Sequence, residues 1–166
     1  THTYPRCGFD LRQLGIDELE DYGFFEWFVL AVQKACVDVF VVHARNAILQ
    51  GLTPKENREI PPLRYDVPER LKREHPELTV ILNGGLKTAR EVGAWMPKFD
   101  GVMLGRQIYH EPYLLAELDA QFLGPGFVPP ARDEVVERYA DYVERMLGSG
   151  HRLPLMLRHI QGLFAG

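Results

Sequence analysis

Three short stretches of this sequence carry groups that could do chemistry. His43 closes the apolar run Val39-Phe40-Val41-Val42, and a polar segment follows it with Arg45, Asn46, Lys55, Glu56, Asn57 and Arg58. Asn83-Gly84-Gly85 closes a second apolar run, and Gly105-Arg106 closes a third. Glycine turns at successive strand ends can aim backbone N–H groups at one anion, because glycine has no Cβ to hold a ligand off and accepts positive φ. Arg106 adds a forked donor that suits a phosphate. Either turn alone is an ordinary way to leave a strand. The ordered pair is the more specific signal, and barrel enzymes hold phosphates on the loops after their last two strands.

His43 could donate to or accept from a planar cofactor or its phosphate, and it could equally be a histidine that caps a strand end. Lys55 and Arg58 stand in a segment flanked by Pro54 and Pro61, with Arg45 and Arg64 nearby. A solvated charged loop accounts for these charges too. A loop of this length between a strand and its helix is uncommon in a compact domain unless it has a function, which points to a polyanion as its ligand. His2, His75, His110, His151 and His159 show no metal-ligand spacing with one another or with carboxylates, so no metal site is expected.

Rigid elements must place these groups. The run from Val39 to Val42 is β-branched or aromatic throughout, which predicts a strand buried on both faces with His43 at its carboxyl end. Before it, Leu19, Phe24, Phe28, Val29, Val32 and Cys36 line one face of a helix predicted over 18–36. Glu18, Glu20 and Asp21 form its acidic first turn, and Phe25 and Trp27 add packing surface. After the polar loop the pattern predicts a helix over 65–74, a strand over 79–82, a helix over 88–95 and a strand over 101–104. Pro68 is tolerable because it falls in a first turn. Strands separated by helices imply right-handed crossovers and a parallel sheet, so the fold class is α/β, doubly wound or a (β/α)8 barrel. Helices alone are predicted beyond that, over 112–122, 132–147 and 154–164, and GPGFVPPA reads as a linker into a helical appendage. Thr1 to Gln13 shows no period, and Leu14 to Asp17 suits the end of a strand.

The 166 residues are 46% hydrophobic and 25% charged, an ordinary composition for one globular domain with or without an appendage. A formal net charge of -4 argues against a surface that binds polyanions everywhere and leaves a local basic patch as the means. No apolar run approaches the roughly 20 residues that span a bilayer. The opening THTYPRCGFD lacks the apolar segment of a secretory signal, so the cytoplasm is the expected compartment and no membrane partner is expected. Cys7 and Cys36 lack the density and spacing of a disulfide framework or a structural zinc site.

The strings HARNAILQGLTPKENREIPPLRYD, ILNGGLKT and FDGVMLGRQIYHEPYLLA, with LRHIQGLF near the end, closely resemble the tRNA-dihydrouridine synthases, in particular the A-type subfamily. They occur in that family's order and spacing from about Leu14 onward. The resemblance implies a flavin-bearing (β/α)8 TIM barrel followed by a small helical domain. This chain would hold the C-terminal part, with residues 1–123 in the barrel and 124–166 at the start of the helical domain. The resemblance also implies FMN as cofactor, NADPH as reductant and reduction of a uridine C5–C6 double bond in tRNA. His43 matches the histidine that contacts the flavin. Asn83, Gly84 and Gly85, with Gly105 and Arg106, match the turns that hold the FMN phosphate. Lys55 and Arg58 match positions that contact tRNA, and Arg45 is grouped with them as a basic neighbour.

The chain departs from the family pattern in its first residues. A barrel of this kind takes about 250 residues before any appendage. The missing N-terminal half, or self-association, is therefore expected to be needed for a complete site, and the isolated chain is expected to hold FMN weakly. Neither Cys7 nor Cys36 lies in a context matching the family's catalytic cysteine, and Leu11 falls where the family has a flavin-contacting lysine. Two other readings stand beside the enzyme. One is a non-catalytic fragment that keeps weak RNA contact through Arg45, Lys55, Arg58 and Arg64. The other is a different FMN-dependent barrel oxidoreductase, which the long basic loop PKENREIPPL disfavours.

Overall fold

The computed structural model describes residues 22–48 and 51–164. The expectations for Thr1 to Gln13, for Leu14 to Asp17, for the acidic turn at Glu18, Glu20 and Asp21, and for Cys7 lie outside the described residues. The chain divides into two compact units, Thr1–Leu82 and Asn83–Gly166. Three strands, β1 (Val39–His43), β2 (Thr79–Asn83) and β3 (Gly101–Met103), stand in chain order in one sheet with a helix in each connection, the arrangement of parallel βα units.

In the first unit, α1 (Tyr22–Gln33) precedes β1. It ends in tightening turns, with Cys36 N–H donating to the Gln33 carbonyl at 2.8 Å, and Cys36 itself takes a left-handed φ of 63° that turns the chain out of the helix. Val29 is its buried residue, whereas Trp27 (54% exposed) and Phe28 lie open, so the predicted aromatic cover is only partly inward. Trp27 instead stacks on Phe24, 5.9 Å between ring centroids.

The helix after the loop is α2 (Asp66–Glu74). Asp66 and Glu69 in its first turn and Lys72 and Arg73 in its last agree with the helix dipole, and Pro68 sits early enough to cost no hydrogen bond. Lys72 Nζ closes the end by donating to the carbonyls of Pro76 (3.0 Å) and Leu78 (2.7 Å). Two side-chain contacts join α1 to α2 and its C-terminal turn. His75 Nε2 lies 2.7 Å from Glu26 Oε1, and the Arg70 guanidinium lies 3.8 Å over the Tyr22 ring. The core of this unit is Leu71, Leu78, Val80 and Leu82, each almost wholly buried.

The Thr79 N–H donates to the Asp38 carbonyl at 2.9 Å, which sets Thr79 beside Val39 in the parallel register. Val39, Val41 and His43 therefore share one face of β1, and all three are exposed, while Val42 is buried on the other. This corrects the expectation of a strand buried on both faces. β1 is an edge strand, and among the described residues nothing covers that face enough to bury it, so an all-apolar run behaves as a one-sided strand.

In the second unit, α3 (Ala89–Trp95) begins with a capping box: Thr88 Oγ1 accepts from Glu91 N–H at 3.2 Å, and Glu91 Oε2 accepts from the Lys87 and Thr88 N–H groups at 2.8 and 3.0 Å. The Lys87 N–H bond, with lesser help from Thr88, holds the Glu91 carboxyl below its ordinary value. A depressed folded value means stability that is present above the ordinary carboxylate range and lost as the pH falls through the folded value. Glu91→Ala is expected to cost about 1 kcal/mol near neutral pH, and that cost to fade as the pH drops below roughly 4. Urea unfolding of both proteins at pH 7 and pH 3 checks this; an equal gap at the two values would refute the assignment.

After β3 come α4 (Arg106–His110), α5 (Leu114–Phe122), α6 (Arg132–Gly148) and α7 (Leu153–Leu157). The sequence pattern shows only a glycine turn where α4 stands, because five residues are too few for a period to register. Gly124, with φ 89°, ends α5. The helix predicted over 154–164 shrinks to α7, with turns beyond it. Gly162, in those turns, lies against the His110 carbonyl, with no room for a Cβ. Two side chains join α6 to this last segment: Tyr139 Oη donates to the Met156 carbonyl at 2.9 Å and Arg132 Nη1 to the Leu163 carbonyl at 2.6 Å.

Candidate functional site

The first unit contributes His43 and the loop that follows β1. His43 is exposed at the strand's carboxyl end, and its carbonyl accepts from the Arg45 N–H at 2.8 Å. The loop is closed at its base by an antiparallel bridge between Arg45 and Leu63 and by Arg64 N–H donating to the Ala44 carbonyl at 2.9 Å. The Arg45 side chain turns onto the loop itself: Nη1 donates to the carbonyls of Glu59, at 2.8 Å, and Pro61. Arg64 forms a two-point pair with Asp66, Nε to Oδ1 at 2.9 Å and Nη2 to Oδ2 at 2.8 Å, which holds the Asp66 carboxyl below its usual range.

Lys55 and Arg58 bracket a 3-10 turn, Glu56–Arg58, at its start and end. Both are exposed, and among the described residues neither side chain has a hydrogen-bond or ion-pair partner. Residues three apart on a 3-10 turn eclipse each other, so the two cations lie on one side of the loop.

Thr53 and Glu56 fix this turn, with Thr53 N–H donating to Glu56 Oε2 at 2.7 Å and Glu56 N–H to Thr53 Oγ1 at 3.3 Å. Bonding from Thr53 also lowers the Glu56 carboxyl's pKa. Asn57 ties the turn to the rest of the loop. Its Oδ1 accepts from Ile48 N–H at 2.7 Å, and its Nδ2 donates to the Ile48 carbonyl at 2.8 Å, with longer contacts to the Leu52 and Thr53 carbonyls at 3.4 Å. The roles of Asn57, Thr53 and Glu56 go unassigned in the sequence reading. Thr-x-x-Glu is a legible capping signal, whereas nothing local marks the distant Ile48 as the partner of Asn57.

The second unit contributes the two glycine turns, which follow neighbouring strands of the sheet. Gly84 (φ 136°) and Gly85 (φ 70°) both take backbone conformations that L side chains avoid, directly after half-buried Asn83. Leu86, buried, anchors the turn from below. Gly105 works differently. Its φ is -100°, and what glycine provides there is room, since no heavy atom lies within 4 Å of where a Cβ would stand. Arg106, exposed, is the first residue of α4. Gly84 is buried, whereas Gly85 and Gly105 are exposed, so each strand-end turn brings one glycine to the surface, with Arg106 directly after the second.

Among the described residues no group of His, Cys, Asp and Glu could hold a metal ion, and no helix is long and apolar enough to cross a membrane.

Comparison with known proteins gives one consistent family. The family described as "Dihydrouridine synthase (Dus)" matches residues 12–166. A tRNA-dihydrouridine(20/20a) synthase of Pseudomonas putida is 47% identical over 155 residues, 93% of this chain and 46% of that protein. Proteins of the same description from Xanthomonas axonopodis pv. citri and Vibrio cholerae are 49% and 44% identical, over 93% and 92% of this chain and 46% and 47% of their own lengths. The chain spans about half the length of the curated relatives it matches.

Proposed function

Since this chain belongs to the dihydrouridine synthase family, we propose that it supplies the phosphate-holding and RNA-contacting part of a flavin-dependent enzyme that reduces uridine to 5,6-dihydrouridine in tRNA, with FMN as cofactor and NADPH as reductant. The observation that carries this reading is the pair of glycine turns on neighbouring strands, exposed at Gly85 and Gly105, with Arg106 directly after the second.

The residues present fit the cofactor's phosphate end. The open space at Gly105 is a cradle that any side chain would fill, and Gly85, exposed and at positive φ, gives the first turn a backbone that a ligand can approach closely. Asn83, Gly84, Gly85, Gly105 and Arg106 would hold that phosphate, and His43 would contact the flavin. FMN, when bound, supplies the hydride that reduces the uracil C5–C6 bond. Lys55 and Arg58 would bind tRNA phosphates from one side of the loop. Cys36 lies exposed in the turn after α1, and the reading gives it no part as a proton donor. In this reading the sheet is the C-terminal part of a (β/α)8 barrel, residues 1–123, and the helices from 124 onward begin the appended domain. A further segment or a second copy would complete the site, and the tRNA substrate would put the reaction in the cytoplasm.

The test is a fluorescence titration of the purified chain with FMN and with riboflavin, which lacks the phosphate. FMN is expected to bind more tightly, and Arg106→Ala to weaken FMN about 10- to 100-fold while leaving riboflavin unchanged, the loss of one charge-assisted phosphate bond. No preference for FMN over riboflavin, or an equal loss for both, would remove the phosphate site and the reading with it.

A further inference from the structure

The loop after β1 is built from within. Its base is clamped by the Arg45 to Leu63 bridge, its returning limb hangs from the Arg45 guanidinium through the Glu59 and Pro61 carbonyls, and its tip is held by Asn57 against Ile48. The two cations at the tip make no such bonds. The labour is therefore divided: Arg45 and Asn57 bond to the loop, while Lys55 and Arg58 are exposed and, among the described residues, their side chains bond to nothing.

We propose that Asn57 and Arg45 are positioning residues that hold the loop in its RNA-binding shape, so that Lys55 and Arg58 engage two phosphates together, and that Arg45 acts through the loop and not by meeting a phosphate. This rests on the reading that the loop meets tRNA. A flexible loop would have to order both long side chains and the backbone on binding, and the resulting entropy cost falls on affinity. Asn57 removes that cost in advance because an amide can serve as donor and acceptor at once, pairing both the N–H and the carbonyl of Ile48.

The experiment measures binding of the 166-residue chain to an unmodified tRNA transcript as a function of salt. The slope of log affinity against log salt counts the phosphates neutralised, roughly 0.7 to 0.9 per contact. Lys55→Ala with Arg58→Ala is expected to make the slope shallower by about 1.4 to 1.8. Asn57→Ala, which removes no charge, is expected to do nearly the same, and to add nothing in the background lacking both cations. Arg45→Ala in the background lacking both cations is expected to leave the slope where it is, whereas a phosphate contact would cost a further 0.7 to 0.9. Without RNA, trypsin is expected to cut after Lys55 and Arg58 faster in Asn57→Ala than in the parent, at an unchanged thermal midpoint.

A wild-type slope in Asn57→Ala overturns the positioning role while leaving the RNA-binding loop intact. A slope unmoved by removing Lys55 and Arg58 overturns the RNA-binding loop and the positioning role together.

Discussion

Gly162→Ala is expected to lower the thermal midpoint by roughly 6–12 °C, the equivalent of about 3 kcal/mol in a chain of this size. A Cβ at this position would fall on the His110 carbonyl, 2.5 Å from its carbon and 3.2 Å from Pro112 Cδ. The obstacle is main chain at the end of α4, so no rotamer change relieves it. The terminal turns would have to lift away, taking Leu163 and Met156 out of the interior and straining the bonds from Arg132 and Tyr139. Hydrogen exchange should show the loss of protection concentrated in residues 153–164. Gly93→Ala is the control. There the blocking atom is the end of the Gln121 side chain, which can swing aside, and alanine is the better helix former. That variant is expected to unfold at or slightly above the parent midpoint. A Gly162→Ala protein as stable as the parent would mean the two segments do not meet.

Leu71→Ala is expected to destabilise the chain by about 3 kcal/mol, a large share of the roughly 5–15 kcal/mol that holds a domain together. Leu71 is 0% exposed on α2 and belongs to the same buried set as Leu78 and Val80. Truncating it removes the transfer energy of the lost carbons and leaves a cavity that helix and strand cannot close without moving as rigid bodies. Leu71→Met keeps the volume and is expected to cost less than about 1.5 kcal/mol. In urea titrations the alanine variant should shift the midpoint with an unchanged slope. A shift no larger than that of the methionine variant would show that Leu71 is not packed as described.

What could be read from the sequence follows how local each signal is. The strands ending at His43, Asn83 and Met103, and the helices α2, α3, α5 and α6, announce themselves through runs, periods and caps of a few neighbouring residues. The glycine turns were legible for the same reason. The open face of β1 was not, since Val39 and Val41 look like buried residues until the sheet order makes their strand an edge. The short α4 has too few residues for a period to show, and the turns beyond α7 bring Gly162 against His110, a contact between residues more than fifty positions apart that no local pattern announces. In the loop, composition pointed to the cations, while the division between Arg45, bonded to the loop, and the exposed Lys55 and Arg58 exists only in three dimensions.

Much of that loop's shape comes from bonds within it. Among the described residues, none of the side-chain bonds formed by Arg45, Thr53, Glu56 and Asn57 reaches beyond residues 45–61, and the loop's two ends meet at the Arg45–Leu63 bridge. Such a segment is a cassette: grafted onto another scaffold at two points that already lie side by side, it should carry its geometry with it. Lineages could then exchange or retune it without renegotiating the core beneath, so that changes in what the loop binds and changes in fold stability would be free to drift apart.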